Sequence, residues 1–294
     1  MREEDLIKLL VERGNISFEV AEKSARLFMT AENEFNKKNF QKAANDYRQS
    51  IILCPILKKM GVHILLAHSL ILSVDWDEIS KHLEENNNYL QSSGWINSLI
   101  HNKPINQHSM AIPWYTYPAI EFIETKIKEN FNIFEYGTGQ STFWWADRVN
   151  FVYSVEHDPA WFFQLKNLPQ NVRLSLIESE KAYADEILKY PDHCFDIIII
   201  DGINRNQCVV TCVQKLKQNG FIIYDNSDNQ ENHDGVKFLM SSGYKRIDFY
   251  GLIPSYAYKN CTSIFFINDE FLGQGTLPGI KQSCLGTSCC QVGG

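Results

Sequence analysis

The stretch NIFEYGTGQSTFWWA, residues 132 to 146, sets how the rest of the chain is to be read. A short apolar run ends in Glu135, the chain turns over Gly137 and Gly139, and the residues that follow carry helical spacing. A strand, turn and helix of this kind aim backbone N–H groups and a helix N-terminus at whatever lies above the sheet. A nucleotide-like ligand is the natural occupant.

Downstream, apolar runs of strand length alternate with helical patterns. Strands are expected at NIFEY (132–136), FVYSVEH (151–157), VRLSLIE (172–178), FDIIIID (195–201) and GFIIYDN (220–226). Helices are expected in STFWWADRV, AWFFQLKNL, KAYADEILKY and QCVVTCVQKLKQ. Strands apolar on both faces and rich in β-branched residues belong in a mostly parallel sheet with helices on both sides. After a last helix, HDGVKFLMSSG (233–243), the strands YKRIDFYG (244–251) and TSIFFIN (262–268) follow with only LIPSYAYKNC between them. That link is too short for a right-handed crossover, so the two pair antiparallel. The expected class is α/β: a doubly wound, mostly parallel seven-stranded sheet with an antiparallel terminal strand pair, preceded by an α-helical domain.

The glycine pair alone says little, because such pairs occur in many turns. A dinucleotide-binding fingerprint wants a third glycine at position 142, where the chain has Thr142, and this speaks against a nicotinamide-dependent oxidoreductase. The second strand ends in Glu156, about 20 residues past the glycines. An acid there can accept both hydroxyls of a ribose whose remainder lies over the turn. FEYGTGQS, followed by VEHD, FDIIIIDG and GFIIYDN, resembles the class I S-adenosylmethionine-dependent methyltransferases over roughly residues 114 to 269. The resemblance implies S-adenosylmethionine as cofactor, with Glu135, Gly137 and Gly139 at its methionine part, Glu156 at the ribose, and His157 and Asp158 near the adenine edge. Ser141 stands at the third small position of that loop, a minor departure.

Ligands of open parallel sheets bind beyond the carboxyl ends of the strands, where Asp201 (IIIIDG) and Asp225-Asn226 (IIYDNSD) lie. The Asp, Asp, Asn set resembles the Mg²⁺-binding trio of the catechol and caffeoyl-coenzyme A type O-methyltransferases. Hard oxygen ligands suit Mg²⁺ or another divalent cation, which would hold a substrate hydroxyl and lower its pKa. Metal-free members of the wider fold also carry an acid after the fourth strand, so Asp201 has a second reading as a wall of the cofactor pocket. Methyl transfer from a sulfonium needs alignment, and a base only for a hydroxyl or protonated amine. Asp225, Asp228 and His233 are candidates for that base, and Asp201 is a further catalytic candidate beside Asp225. Arg205 either contacts an acidic group of the substrate or forms a surface ion pair. Tyr256 and Tyr258 are candidate pocket walls.

Upstream, the pattern is helical from Phe18 to about Leu90. The segment AENEFNKKNFQKAANDYRQSIILCP (31–55) sets Ala31, Ala43 and Ser50 where two antiparallel helices would touch, with Phe35, Phe40 and Tyr47 between them and Pro55 as the stop. It resembles one tetratricopeptide repeat, and a looser second unit runs through residues 65 to 85. This helical region, expected over residues 1–90, is either a docking surface for a protein partner or a stabilising cap. Residues 91–118 are expected as a linker or lid, with Trp114, Tyr115 and Tyr117 stiffened between Pro113 and Pro118. The methyltransferase-like domain is expected over 119–272.

Of 294 residues, 44% are apolar and 21% charged, enough for one large domain and a smaller one. A formal charge of −7 argues against general affinity for nucleic acid, leaving room for a local basic patch. No apolar segment approaches the roughly 20 residues of a membrane span, and the charged, amphipathic N-terminus lacks a signal-peptide pattern. A soluble, cytoplasmic protein is expected. Cys54, Cys194, Cys208, Cys212 and Cys261 lie singly in apolar surroundings, as small hydrophobes do. Cys284, Cys289 and Cys290 cluster in a polar, glycine-containing tail, 273–294, that is expected to be disordered.

Two functions are thereby expected. The first is S-adenosylmethionine-dependent methyl transfer to a small or medium-sized acceptor, at oxygen rather than nitrogen, with or without a divalent cation. The second is a partner-binding scaffold whose helical repeats act while the sheet domain is catalytically silent.

Overall fold

The computed structural model describes residues 2–75, 89–165 and 167–273. They divide into two compact units, Met1–Asn88 and Tyr89–Gly294. The first contains α1 (Glu3–Gly14), α2 (Phe18–Asn36), α3 (Phe40–Leu53), α4 (Ile56–Lys59) and α5 (Val62–Leu72). Ser17 caps α2 by accepting from the Val20 N–H. Small residues let α2 and α3 approach closely: Ala31 and Ala43 are fully buried, and the hydroxyl of Ser24 on α2 donates to Ser50 O on α3 at 2.9 Å. Tyr47 fills the space beside them and its hydroxyl donates to Glu32. The second half of the looser repeat unit, and the cysteines at 284, 289 and 290, lie outside the described residues.

In the second unit one sheet is formed by β1 (Asn132–Tyr136), β2 (Phe151–Glu156), β3 (Val172–Leu176), β4 (Phe195–Ile200), β5 (Leu216–Asp225), β6 (Lys245–Ile253) and β7 (Tyr256–Phe266). Its order is β3-β2-β1-β4-β5-β7-β6. The first five strands are parallel, and β7 enters antiparallel between β5 and β6. The fold class is the expected one. Ile197 to Ile200 are buried on both faces of β4, each removing apolar surface worth about 1.5–3 kcal/mol. This is why the run reads as continuous rather than alternating.

The helices of this unit are α6 (Tyr89–Ser92), α7 (Trp95–His101), α8 (Tyr117–Glu124), α9 (Gln140–Ala146), α10 (Pro159–Phe162), α11 (Glu180–Asp185), α12 (Arg205–Cys212), α13 (His233–Ser241) and α14 (Glu270–Gly273). Three details differ from the sequence reading. The segment 91–118 contains α7, which begins where Gly94, at φ +85, lets the Asn106 backbone approach so closely that a Cβ would lie 2.4 Å from it. Of AWFFQLKNL, where helical spacing is expected to continue, only residues 160–162 are helical among the described residues, as the single turn α10. Strands β6 and β7 run on through LIPSYAYKNC, leaving Pro254 and Ser255 as the turn.

Candidate active site

The strand order reverses between β1 and β4, and the crevice outside the carboxyl ends of the strands there is the expected ligand position. A cavity of about 610 Å³ opens at this place, with Thr138, Gly139 and Ser141 on one side and Asp201, Asp225 and Asn226 on its floor.

The glycine turn is built from below. Gly137 has φ +92, and a Cβ on it would meet the Gly202 backbone at 3.0 Å, so only glycine fits. Gly139 is extended, and a Cβ there would meet only Trp161, at 3.9 Å. The side facing the cavity is therefore open for a ligand. Glu135 lies under the turn, 1% exposed, and does not line the cavity. It accepts from the hydroxyls of Ser141 (2.5 Å), Thr142 (2.6 Å) and Ser154 (2.8 Å). Burial pushes its carboxyl up to about 7 against the pull of these three donors. Glu135 thus shapes the turn from beneath.

Glu156, at the end of β2, is 4% exposed and also lies behind the cavity surface. One carboxylate oxygen accepts from the Thr138 N–H (3.2 Å) and hydroxyl (2.6 Å), the other from the N–H groups of His157 (2.7 Å) and Asp158 (2.9 Å). Thr138, which does line the cavity, is thus held by Glu156. Asp158 caps α10 by accepting from Ala160 N–H at 2.7 Å. His157 stands 3.0 Å from Glu156. Neither His157 nor Asp158 lines the cavity, and Trp161, Gln164 and Leu165 of the same loop do. The Trp161 indole donates to Thr138 O at 2.8 Å. The clustered aromatics of AWFF were the available signal for this wall, but they also suit one face of a helix.

On the floor, Arg205 bridges the loops after β4 and β5. Its Nε donates to Gly202 O (2.8 Å), Nη2 to Asp201 O (2.8 Å) and Oδ1 (3.2 Å), and Nη1 to Asp225 O and to Asn226 Oδ1 (3.2 Å). Five acceptors consume its five N–H donors. Asp225, 4% exposed, accepts from the Thr262 hydroxyl at 2.6 Å. Burial raises the Asp201 carboxyl, opposed by Arg205. It raises Asp225 well above the usual range, with the Asp201 charge adding to the rise and Thr262 and Arg205 opposing it.

Asp201, Asp225 and Asn226 are brought together as expected, but the trio does not fit a divalent cation. Asp201 Oδ1 and Asn226 Oδ1 each face the Arg205 guanidinium at 3.2 Å, and its fixed positive charge beside the trio repels a second cation. Among the described residues, no group of three His, Cys, Asp or Glu side chains converges as a metal site either. His233 opens α13 and Asp228 lies just after β5; both are exposed and neither lines the cavity. Of the two candidate tyrosines, Tyr256 lines the cavity and Tyr258 does not.

No family model matches the chain, and a search of the curated proteins returns no match. Among solved structures, the chain is similar to a precorrin-6y C5,15-methyltransferase from Geobacter metallireducens, at 14% identity and a TM-score of 0.43, over 51% of this chain and 87% of that one. It is similar to a methyltransferase from Streptococcus mutans in complex with SAH, at 14% identity and a TM-score of 0.37, over 50% and 96% of the two chains. A SAM-dependent O-methyltransferase from Thermotoga maritima overlaps at 14% identity and a TM-score of 0.39, over 55% and 69%. The strand order β3-β2-β1-β4-β5-β7-β6 of the chain itself sets its fold class.

Proposed function

We propose that the cavity binds S-adenosylmethionine and that the chain transfers its methyl group to a hydroxyl of a small or medium-sized acceptor. The observation that carries this reading is the open face of Gly139 over a crevice at the β1/β4 switch point, in a sheet closed by an antiparallel β7. When bound, the cofactor supplies an activated methyl: the acceptor oxygen's lone pair forms the new C–O bond while the C–S pair stays on sulfur, leaving S-adenosylhomocysteine. The chain supplies position and a proton acceptor.

Thr138, Gly139 and Ser141 form the cofactor side, with Trp161 beside them and Glu156 acting through Thr138. Asp201 receives the hydroxyl proton. Its Oδ1 is held by Arg205, while its Oδ2 makes no hydrogen bond among the described residues, and burial makes the carboxyl a better base. Asp225 is too deeply bonded to Thr262 for that task and frames the floor.

Titration calorimetry with S-adenosylhomocysteine, with NAD as the comparison, tests the reading. Micromolar binding of the first and none of the second is expected. Absence of S-adenosylhomocysteine binding would leave the scaffold reading in front. One observation favours that alternative: the Glu156 carboxylate, the expected ribose acceptor, is fully engaged by its own chain.

A further inference from the structure

The part of the cavity remote from the glycine turn differs from the part beside it. Trp114, Ile253 and Tyr256 give it an apolar wall, with the two rings 6.1 Å apart and inclined at 38°. The indole N–H of Trp114 already donates to Pro254 O at 2.7 Å, so what remains for a ligand is aromatic surface.

The rim beside this wall is residues 101–104. Helix α7 stops there because Asn102 is left-handed, at φ 46, with Pro104 two residues on. Ser98 then fixes the rim. Its carbonyl accepts from the Lys103 N–H (3.1 Å) and the Ser255 hydroxyl (2.9 Å), and its own hydroxyl bonds both Ile105 O (2.5 Å) and Ile105 N–H (3.1 Å). The rim is thereby tied to the β6–β7 turn.

The charge on this side is positive. Lys103 lines the cavity, and its ammonium has no acceptor among the described residues. His101, beside it, uses Nδ1 toward Asn97 O at 2.9 Å, leaving Nε2 for another group. Arg205 cannot serve here, since its donors are spent. The two carboxylates of the cavity, Asp201 and Asp225, belong to the floor. An aromatic wall with an exposed, unpaired lysine at the cavity rim suits a flat ring that carries an anion.

We propose that this half of the cavity takes a hydroxylated aromatic carboxylate, its ring against Trp114 and Tyr256, its carboxylate at Lys103 and its hydroxyl toward Asp201. The proposal rests on the methyl-transfer reading for the reaction, while the binding it asserts is measured separately. Titration calorimetry on the full chain with 4-hydroxybenzoate and with phenol, each with and without saturating S-adenosylhomocysteine, tests it. The carboxylate is expected to bind at least about ten-fold tighter than phenol. Lys103→Gln should abolish that preference, and Lys103→Arg should keep it. Equal affinity for the two ligands, no binding of either, or a preference that survives Lys103→Gln overturns the proposal. Failure of S-adenosylhomocysteine to bind overturns the reaction instead, and a Lys103-dependent preference measured without it still supports the subsite.

Discussion

The Arg205 guanidinium closes on Asp201 twice, Nη2 donating to its carbonyl at 2.8 Å and to its carboxylate Oδ1 at 3.2 Å. Because Asp201 is the first residue after β4 and the other donors of Arg205 reach the Asp225 carbonyl and the Asn226 side chain at the end of β5, one side chain joins two strand ends and pairs the carboxylate of Asp201.

Arg205→Ala is expected to cost about 1–3 kcal/mol, because it leaves the part-buried Asp201 carboxylate and the carbonyls of Asp201, Gly202 and Asp225 without their donor. Urea unfolding measures it. In the parent protein, neither Mg²⁺ nor a chelator should move the melting temperature. In Arg205→Ala, the exposed carboxylates should make melting sensitive to divalent cations. A Mg²⁺-dependent shift in the parent would contradict the argument that the trio does not fit a metal.

Glu156→Ala removes the acceptor of three backbone N–H groups at once, those of Thr138, His157 and Asp158. Each buried donor left unsatisfied costs about 1–3 kcal/mol, partly recovered by water. A net loss of roughly 2–4 kcal/mol and a fall in melting temperature of about 5–10 °C are expected. A variant that melts like the parent would show that Glu156 does not organise this loop.

Glu135 predicts a pH dependence of stability. Its carboxyl is raised by burial from 4.5 to about 7 in the folded chain. The folded state therefore holds the proton over a pH range in which the unfolded state has lost it. The contribution is fully present below 4.5, declines as pH rises toward 7 and changes no further above it. The shift corresponds to roughly 3 kcal/mol. Unfolding free energies at pH 5, 6.5 and 8 should decline across the series, and Glu135→Gln, which has no proton to lose, should flatten the decline.

The two glycines of the turn should separate folding from binding. Gly137→Ala forces a side chain to φ +92 against Gly202 and should destabilise the fold by 1 kcal/mol or more, a rough minimum for left-handed strain with a close contact. Gly139→Ala meets nothing closer than Trp161 at 3.9 Å, so stability should stay within about 1 kcal/mol of the parent. Its methyl enters the ligand's space, and S-adenosylhomocysteine affinity should fall at least about ten-fold. Calorimetry of both variants distinguishes the effects.

The chain of residues alone determined the strands, the turn over Gly137 and the antiparallel terminal pair, because hydrophobic period, β-branching and the length of a connection are local properties. It also placed Asp201, Asp225 and Asn226 together, since strand ends of a parallel sheet gather at one edge. Only the tertiary structure decided what those residues face. Arg205 reaches across 20 positions to Asp225, Thr262 donates to Asp225 across 37 while accepting the N–H of Thr116 across 146, and Trp114 meets Pro254 across 140. Contacts between segments so far apart leave no periodic trace. For the same reason, Glu135 and Glu156 lying one layer beneath the cavity surface, and Lys103 at its rim, followed from packing rather than from spacing.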